Sequence, residues 1–102
     1  MTTKLGTEHK IIVGHPSLPR LGQAWRNAVH KDILYTVGKH FDGFTAWQAT
    51  GDWKGKREDC TVILVATDDV LTLRRCAREL ARTFNQTCVY VSSEGVGRLV
   101  YP

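Results

Sequence analysis

The stretch CTVILVATDDVLTLRRCARELARTFNQTCVYVSS, from Cys60 to Ser93, contains the patterns that decide the fold. Its first eight residues are a near-continuous apolar run, which is typical of a central strand covered on at least one face. From about Val70 to Phe84, apolar residues recur at helical spacing, and Asp68 and Asp69 are suited to cap the start of that helix. The run from Thr87 to Ser93 is again rich in strand-forming residues. The stretch therefore predicts a strand–helix–strand unit.

On the amino-terminal side, the same criteria predict one further strand and one further helix. HKIIVG (His9–Gly14) is short, β-branched and ended by glycine, as a first strand would be. HPSLPRLG follows as an irregular connection, because its two prolines oppose helix. From about Leu21 to Val37 the apolar residues recur at helical spacing, and Trp25 is expected in the core.

Two further strands complete the pattern. The alternation from Phe44 to Ala49 predicts a strand after the turn pair Asp42-Gly43, and Gly51-Asp52 supplies a break. Neither side of this strand is cleanly apolar. We therefore expect both sides to be in contact, one with a helix layer and the other with a ligand or another subunit. Near the carboxyl end, EGVG is interpreted as a turn and RLVY as a short strand that pairs back.

The order of these elements predicts an α+β, ferredoxin-like fold, βαββαβ plus a short terminal strand. Two helices should lie on one face of an antiparallel sheet. The chain of 102 residues fits a single domain, with residues 1–8 expected to be a flexible amino-terminal tail. Because so short a chain cannot cover the other sheet face, another copy of the chain is expected to do so.

Composition narrows the classes of function. The formal net charge is +4 and the pI is near 9.2, yet the sequence contains no helix-turn-helix, zinc-finger or RNP motif. Sequence-specific nucleic-acid binding is therefore not expected. No apolar stretch is long enough to span a bilayer, so no membrane partner is expected. The polar start MTTKLGTEHK lacks the apolar core of a secretory signal, which predicts a cytoplasmic protein.

Metal and cofactor signatures are also missing from the pattern. Cys60, Cys76 and Cys88 match no zinc spacing and are interpreted as buried thiols in a reducing compartment. The four histidines lack the spacings of metalloenzyme motifs, and there is no P-loop or dinucleotide fingerprint. We therefore expect neither a metal nor a cofactor.

The stretch GFTAWQATGDWKGKRED, from Gly43 to Asp59, is the candidate functional segment. In a structural interpretation, Trp47 and Trp53 pack in the core or an interface, and Glu58 pairs with Arg57 or a helix arginine. In a functional interpretation, the aromatic faces and the carboxylate line one pocket. Such a pocket suits a cationic ligand, because aromatic rings attract positive centres and carboxylates pair with ammonium groups.

The same region resembles a known family. A glycine-bounded aromatic strand, a short polar loop, RE, an apolar strand, TLRRCARELARTFNQTCVYV and the closing GRLVYP together resemble the small phage-encoded enzymes that degrade S-adenosylmethionine (SAM). These are the SAM lyases, once called SAM hydrolases. The similar part covers roughly residues 43 to 101. The stretch is also similar to a family of small secreted or lipid-anchored bacterial proteins of unknown function.

The resemblance to the SAM lyases implies a concrete activity. It implies a cofactor-free homotrimer that binds SAM between subunits and releases methylthioadenosine and homoserine lactone, with an anti-restriction role for a phage in the host cytoplasm. It assigns Glu58 as the catalytic residue and Trp47 as an aromatic residue of the pocket. We expect Gln48, Trp53 and Arg57 to be further substrate contacts. The alternatives are hydrolysis of SAM, a non-enzymatic interaction module of the same fold, and, less favoured, an RNA-binding domain without the RNP aromatic residues.

Overall fold

A computed structural model describes residues 1–16 and 22–102 and confirms the predicted α+β fold. The elements are β1 (Glu8–Gly14), α1 (Gly22–Gly38), β2 (Thr45–Trp53), β3 (Lys56–Ala66), α2 (Val70–Thr83), β4 (Val89–Ser93) and β5 (Val96–Val100). They form one antiparallel sheet in the order β2-β3-β1-β4-β5, with the two helices beside it. The first four strands and two helices make the ferredoxin-like unit, and β5 extends the sheet. Leu21, the predicted start of α1, lies outside the described residues.

The core lies between the helices and one face of the sheet. Alternate residues of the central strands point towards the helices, and the helices return apolar residues at three- and four-residue spacing. The fully buried members are Ile11, Val13, Ile33, Val37, Ile63, Cys76, Ala77, Leu80, Ala81 and Val89. Trp25, expected in the core, is half-buried and packs against its edge. Burying each large aliphatic side chain stabilises the fold by about 1.5–3 kcal/mol.

The start of α2 is capped as its sequence predicts. The Asp69 carboxylate accepts a hydrogen bond from the Thr72 backbone N–H at 3.0 Å, and another from the Thr72 hydroxyl. These two bonds lower the pKa of Asp69.

The residues before β1 contact the start of α2, because Asp68 accepts a hydrogen bond from the Thr7 backbone N–H at 3.0 Å. Ordered contacts therefore reach into the range expected to be a tail: Glu8 already belongs to β1, and flexibility of the residues before Thr7 stays a prediction.

The end of α2 turns the chain sharply towards β4. Asn85 has a left-handed backbone, with φ of 54°, and the Gln86 N–H donates to the Ala81 carbonyl at 2.8 Å. This is the usual way of closing a helix, because the left-handed residue lets the next N–H satisfy a free carbonyl of the last turn. The turn therefore fixes the backbone of Gln86 directly before β4.

The two hairpins differ from the prediction. β2 does not break at Gly51-Asp52 but continues to Trp53, and the turn falls at Lys54-Gly55, where φ is 51° and 77°. Likewise only Glu94-Gly95 forms a turn (φ 51° and 79°), so that EGVG is half turn and half strand. Positive φ at both central residues matches the twist of paired strands, so each hairpin closes in two residues. The strands are consequently longer than expected.

The described part of the chain includes all three cysteines and both helices. Cys60 and Cys76 are buried and Cys88 is half-buried, and all three thiols are free. Burial raises the pKa of Cys76 to about 12. Over residues 1–16 and 22–102, no helix is both long and apolar enough to cross a membrane.

Candidate functional site

The face of the sheet turned away from the helices, which we call the open face, presents a continuous row of apolar side chains. Strand register places Trp47, Val62, Ile12, Tyr90 and Leu99 side by side across all five strands. Trp47 is 42% exposed, and Tyr90 and Leu99 are each 39% exposed. Because side chains alternate between faces, this row is the outer counterpart of the buried row at Ile11 and Ile63.

A cavity of about 530 Å³ lies on the open face, beside one end of this row. Its volume falls within the range of about 300–1,000 Å³ that is usual for ligand pockets. It is lined by Ile12, Gly14, Gly51, Asp52, Trp53, Glu58, Cys60, Gln86, Thr87, Cys88, Tyr90 and Leu99. The wall combines aromatic and aliphatic surface with a few polar groups, the composition expected of a small-molecule site.

Two glycines make room for the Glu58 side chain in this cavity. Gly51 lies directly opposite Glu58 in the β2–β3 ladder and leaves its side of the pair open. On β1, a Cβ atom at Gly14 would lie 3.2 Å from Glu58 Oε2 and 2.5 Å from Gln86 Oε1. The shorter of these distances is not tolerated by a real Cβ atom and the longer one is tight, so glycine at position 14 lets two oxygen atoms approach the strand from the same side without a shift.

The acidic residues around Glu58 are engaged, whereas Glu58 is not. Asp59 points to the helix side and meets Arg26 at 3.5 Å, and Asp52 meets Arg57 at 3.3 Å. Within residues 1–16 and 22–102, the Glu58 carboxylate forms no ion pair and accepts no hydrogen bond. The structural interpretation, in which Glu58 pairs with Arg57 or a helix arginine, is therefore not realised among the described residues.

Gln86 is a cavity residue that sequence reasoning missed. Its side-chain amide donates from Nε2 to the Phe84 carbonyl at 3.0 Å, which turns Oε1 towards Gly14 and the cavity. Oε1 and the Glu58 carboxylate thus form a pair of acceptors above one glycine. The left-handed Asn85 marks the turn, but only the tertiary fold shows that the following side chain faces β1.

The predicted site residues divide between the two faces of the hairpin. Trp53 and Glu58 line the cavity together, and Trp47 shares their face but lies outside the lining. Gln48 points to the helix side and donates to Asn27 on α1 at 2.8 Å. Arg57 also lies on the side opposite Glu58. Substrate contacts by Trp47, Gln48 and Arg57 stay predictions, and in a single chain these residues do not face the cavity.

Cys60, in the floor of the cavity, is not set up as a nucleophile. Burial raises the pKa of its thiol, and the carboxylates of Asp59 and Glu58 raise it further. Since the thiolate is the reactive form, the group stays protonated and weakly reactive near neutral pH. The described residues also contain no cluster of three or more side chains suited to hold a metal ion.

A buried polar cluster lies on the helix side of the sheet, directly behind the cavity. His15 Nε2 and His30 Nδ1 both bond the Thr61 hydroxyl, at 2.8 Å and 2.9 Å. Burial lowers the pKa of both histidines, although the Asp59 carboxylate partly opposes the effect at His15. Both rings are therefore held neutral at pH 7. Thr61 adjoins Cys60 and His15 adjoins Gly14, so this cluster supports the strands that form the cavity floor.

No family model matches the sequence, and no curated protein matches it significantly. Two solved structures match its fold. One is a phage SAM lyase in the apo state, with a TM-score of 0.64 and 15% sequence identity. The other is a phage SAM lyase in complex with S-methyl-5′-thioadenosine, with a TM-score of 0.58 and 16% identity. Each match covers 100% of this chain and 96% of the other.

This chain has the fold of phage SAM lyase. The resemblance noted in the sequence is thereby confirmed at the level of the fold, since identities this low carry no more than that. Because each match spans the whole chain, all the strands that form the open face belong to the shared fold.

Proposed function

We propose that the protein is a SAM lyase that cleaves SAM to methylthioadenosine and homoserine lactone. The observation that carries the proposal is the free Glu58 carboxylate in a cavity with Trp53 and Tyr90, within a chain that has the phage SAM lyase fold. SAM is recognised by its charges and donors. Its sulfonium and ammonium groups suit aromatic faces and a carboxylate, and its ribose hydroxyls suit acceptors such as Glu58 and Gln86.

The proposed reaction uses groups of the substrate itself. A carboxylate oxygen of the methionyl group attacks Cγ, the new C–O bond closes a five-membered lactone, and the Cγ–S bond breaks. The bonding pair passes to sulfur, which leaves as the neutral thioether of methylthioadenosine. No proton is transferred in this step, so the site needs no positioned general base.

The protein contributes geometry and exclusion of water. Holding a reacting pair in line can supply roughly 7–11 kcal/mol of the barrier. The attacking carboxylate and the sulfonium neutralise each other as the ring forms, so an apolar surrounding of the kind that Ile12 and Leu99 offer favours the transition state over the charged ground state. Glu58 serves as an anchor for the ammonium or the ribose hydroxyls and does not act as a base.

A homotrimer with sites between subunits completes the proposal. In one chain the cavity is open, and Trp53 is 51% exposed. The adjoining apolar row across the open face offers a surface that another copy can cover. Covering it would exclude water from the cavity and give Trp47 a ligand or a neighbour to contact. In a phage, consumption of SAM in the host cytoplasm would deprive methylation-dependent restriction of its substrate.

The role of Glu58 is tested by an isosteric exchange. Glu58→Gln keeps the shape of the side chain and removes its charge, so we expect release of methylthioadenosine from SAM to fall by about 100-fold or more, as when positioning is lost. Glu94→Gln, at the exposed β4–β5 turn, is the matched control and should keep wild-type activity. Sedimentation of all three proteins should give the same assembly. Wild-type turnover by Glu58→Gln, or loss of assembly instead of activity, would contradict the proposal.

The non-enzymatic interaction module remains the second candidate, because the apolar row would serve a protein partner equally well. It predicts that correctly assembled wild-type protein leaves SAM unchanged. Products distinguish the other alternative, since hydrolysis would release homoserine directly, without passing through the lactone.

A further inference from the structure

The two helices carry the whole net charge of the protein. Together α1 and α2 hold six Lys or Arg residues and two Asp or Glu residues, out of 14 and 10 in the chain. The remaining residues therefore contain eight of each sign and are neutral overall. The positive charge lies on the side of the sheet opposite the cavity, so the binding of SAM does not explain it.

The charge on α2 is arranged as a row. Arg74, Arg78 and Arg82 follow each other at four-residue spacing and so share one side of the helix, with Arg75 beside them. The row spans about 12 Å along the helix axis. All four side chains belong to exposed residues, and none of them forms an ion pair within the described part of the chain.

The acidic residue of α2 does not neutralise this row. Glu79 lies on the α1 side of the helix, where Lys39 Nζ donates to its carboxylate at 2.7 Å and His40 donates to the other oxygen. These bonds lower the pKa of Glu79, so its charge persists but is already paired. The Asp69 carboxylate at the start of the helix attracts Arg75. None of the four guanidinium groups is ion-paired among the described residues, so their donors remain available at the surface.

We propose that the exposed face of α2 binds the phosphodiester backbone of duplex nucleic acid, independently of base sequence. The arginine row and a phosphodiester backbone are complementary in charge and in hydrogen-bonding geometry. Guanidinium groups bond phosphate oxygens in a planar, bidentate manner that lysine cannot reproduce, and here four arginines stand together without a lysine. The lack of a base-reading motif in the sequence fits contact with the backbone alone.

The test is the salt dependence of binding to a short fluorescein-labelled DNA duplex, measured by anisotropy. Each phosphate contacted adds about −0.9 to the slope of log K against log salt, so three or four contacts predict a slope of about −3 to −4. Arg74→Gln/Arg78→Gln should make this slope shallower by about 2 units. Glutamine keeps the helix, and circular dichroism verifies that it does.

Lys54→Gln/Lys56→Gln, in the β2–β3 hairpin, is the matched control. It removes the same charge from residues that do not belong to the arginine row and should leave the slope unchanged. Equal losses in the two double variants would show general attraction and overturn the proposal. So would failure of the wild-type protein to bind the duplex at low salt, or equally tight binding of poly-glutamate, which has charge without phosphate.

Discussion

At the scale of single residues, the proposed site depends on the Glu58 carboxylate, which has no ion pair or hydrogen bond among the described residues. Sequence reasoning could predict Glu58 and Trp53, because a carboxylate beside aromatic residues is an unusual local pattern. It could not predict that Gln86 faces the cavity, because the direction of that side chain follows from the helix-ending turn at Asn85. Nor could it predict that Gly14 makes room for the two acceptors. Glycine at position 14 has no positive φ. It is required because the side chains of Gln86 and Glu58, which are distant in sequence, approach it in the fold, and this leaves no signal in the local sequence.

Gly14→Ala therefore tests the geometry without touching a functional group. The added Cβ would lie 2.5 Å from Gln86 Oε1, so the flexible amide of Gln86 must shift away from its position in the cavity. We expect turnover of SAM to fall by about 100-fold with the fold retained, since small misplacements at a site can cost that much. Gly43→Ala, where a Cβ would meet nothing within 4 Å, is the control for the added methyl group. Equal activity of the two variants would remove the role assigned to Gly14.

At the scale of elements, the sequence predicts whether a segment is helix or strand better than it predicts the residues at which the segment begins and ends. Apolar periodicity identified β3 and α2 because both are long and buried, so burial and local pattern agree there. The strands of both hairpins are predicted too short, because Gly51-Asp52 and the stretch EGVG resemble turns in the local sequence. In the fold, pairing with the neighbouring strand outweighs this weak preference. The extension matters for the site, because it brings Gly51 opposite Glu58 within the ladder.

The cluster of His15, Thr61 and His30 connects α1 to the strands behind the cavity and makes stability depend on pH. Both histidines have a pKa lowered by burial, so the unfolded chain binds protons more readily than the folded one. Their contribution is present above about pH 6.5 and is lost as pH falls below it. Arg26 opposes protonation of His15, whereas Asp59 partly compensates. Urea unfolding at pH steps from about 7.5 to 5.5 should show this decline, and constant stability would contradict it.

The shared hydroxyl of that cluster can be removed separately. Thr61→Val keeps the volume but removes the partner of one ring nitrogen on the buried His15 and of one on the half-buried His30. The free energy of unfolding should fall by about 1–3 kcal/mol near neutral pH. Thr45→Val, on the exposed part of β2, is the matched control and should have little effect. Unchanged stability of Thr61→Val in urea unfolding would mean that the hydroxyl does not satisfy the two rings.

At the scale of the whole molecule, the chain has two unlike surfaces. The open face is apolar and contains the cavity, while the helix face carries the positive charge. Sequence reasoning could predict that one sheet face would be bare, because 102 residues cannot cover both. It could not predict the row from Trp47 to Leu99, since the alignment of five strands depends on register set by the complete fold.

If the open face is the contact between copies, a charge placed in the apolar row should separate them. Trp47→Lys puts an ammonium on that face outside the cavity lining, and we expect sedimentation to shift from trimer to monomer, with loss of turnover. Tyr35→Lys, a 75% exposed aromatic residue on α1, is the matched control and should stay trimeric. A wild-type monomer that turns over SAM, or a Trp47→Lys trimer, would contradict the proposed assembly.

In the proposed reaction, the protein holds SAM folded upon itself until the substrate's own carboxylate displaces the sulfur from Cγ. Its most direct test is to incubate the purified protein with SAM and follow the products by mass spectrometry from the earliest times. We expect methylthioadenosine and homoserine lactone in equal amounts, with homoserine appearing only later as the lactone opens. Homoserine formed from the outset without lactone, or SAM left intact by the assembled protein, would contradict it.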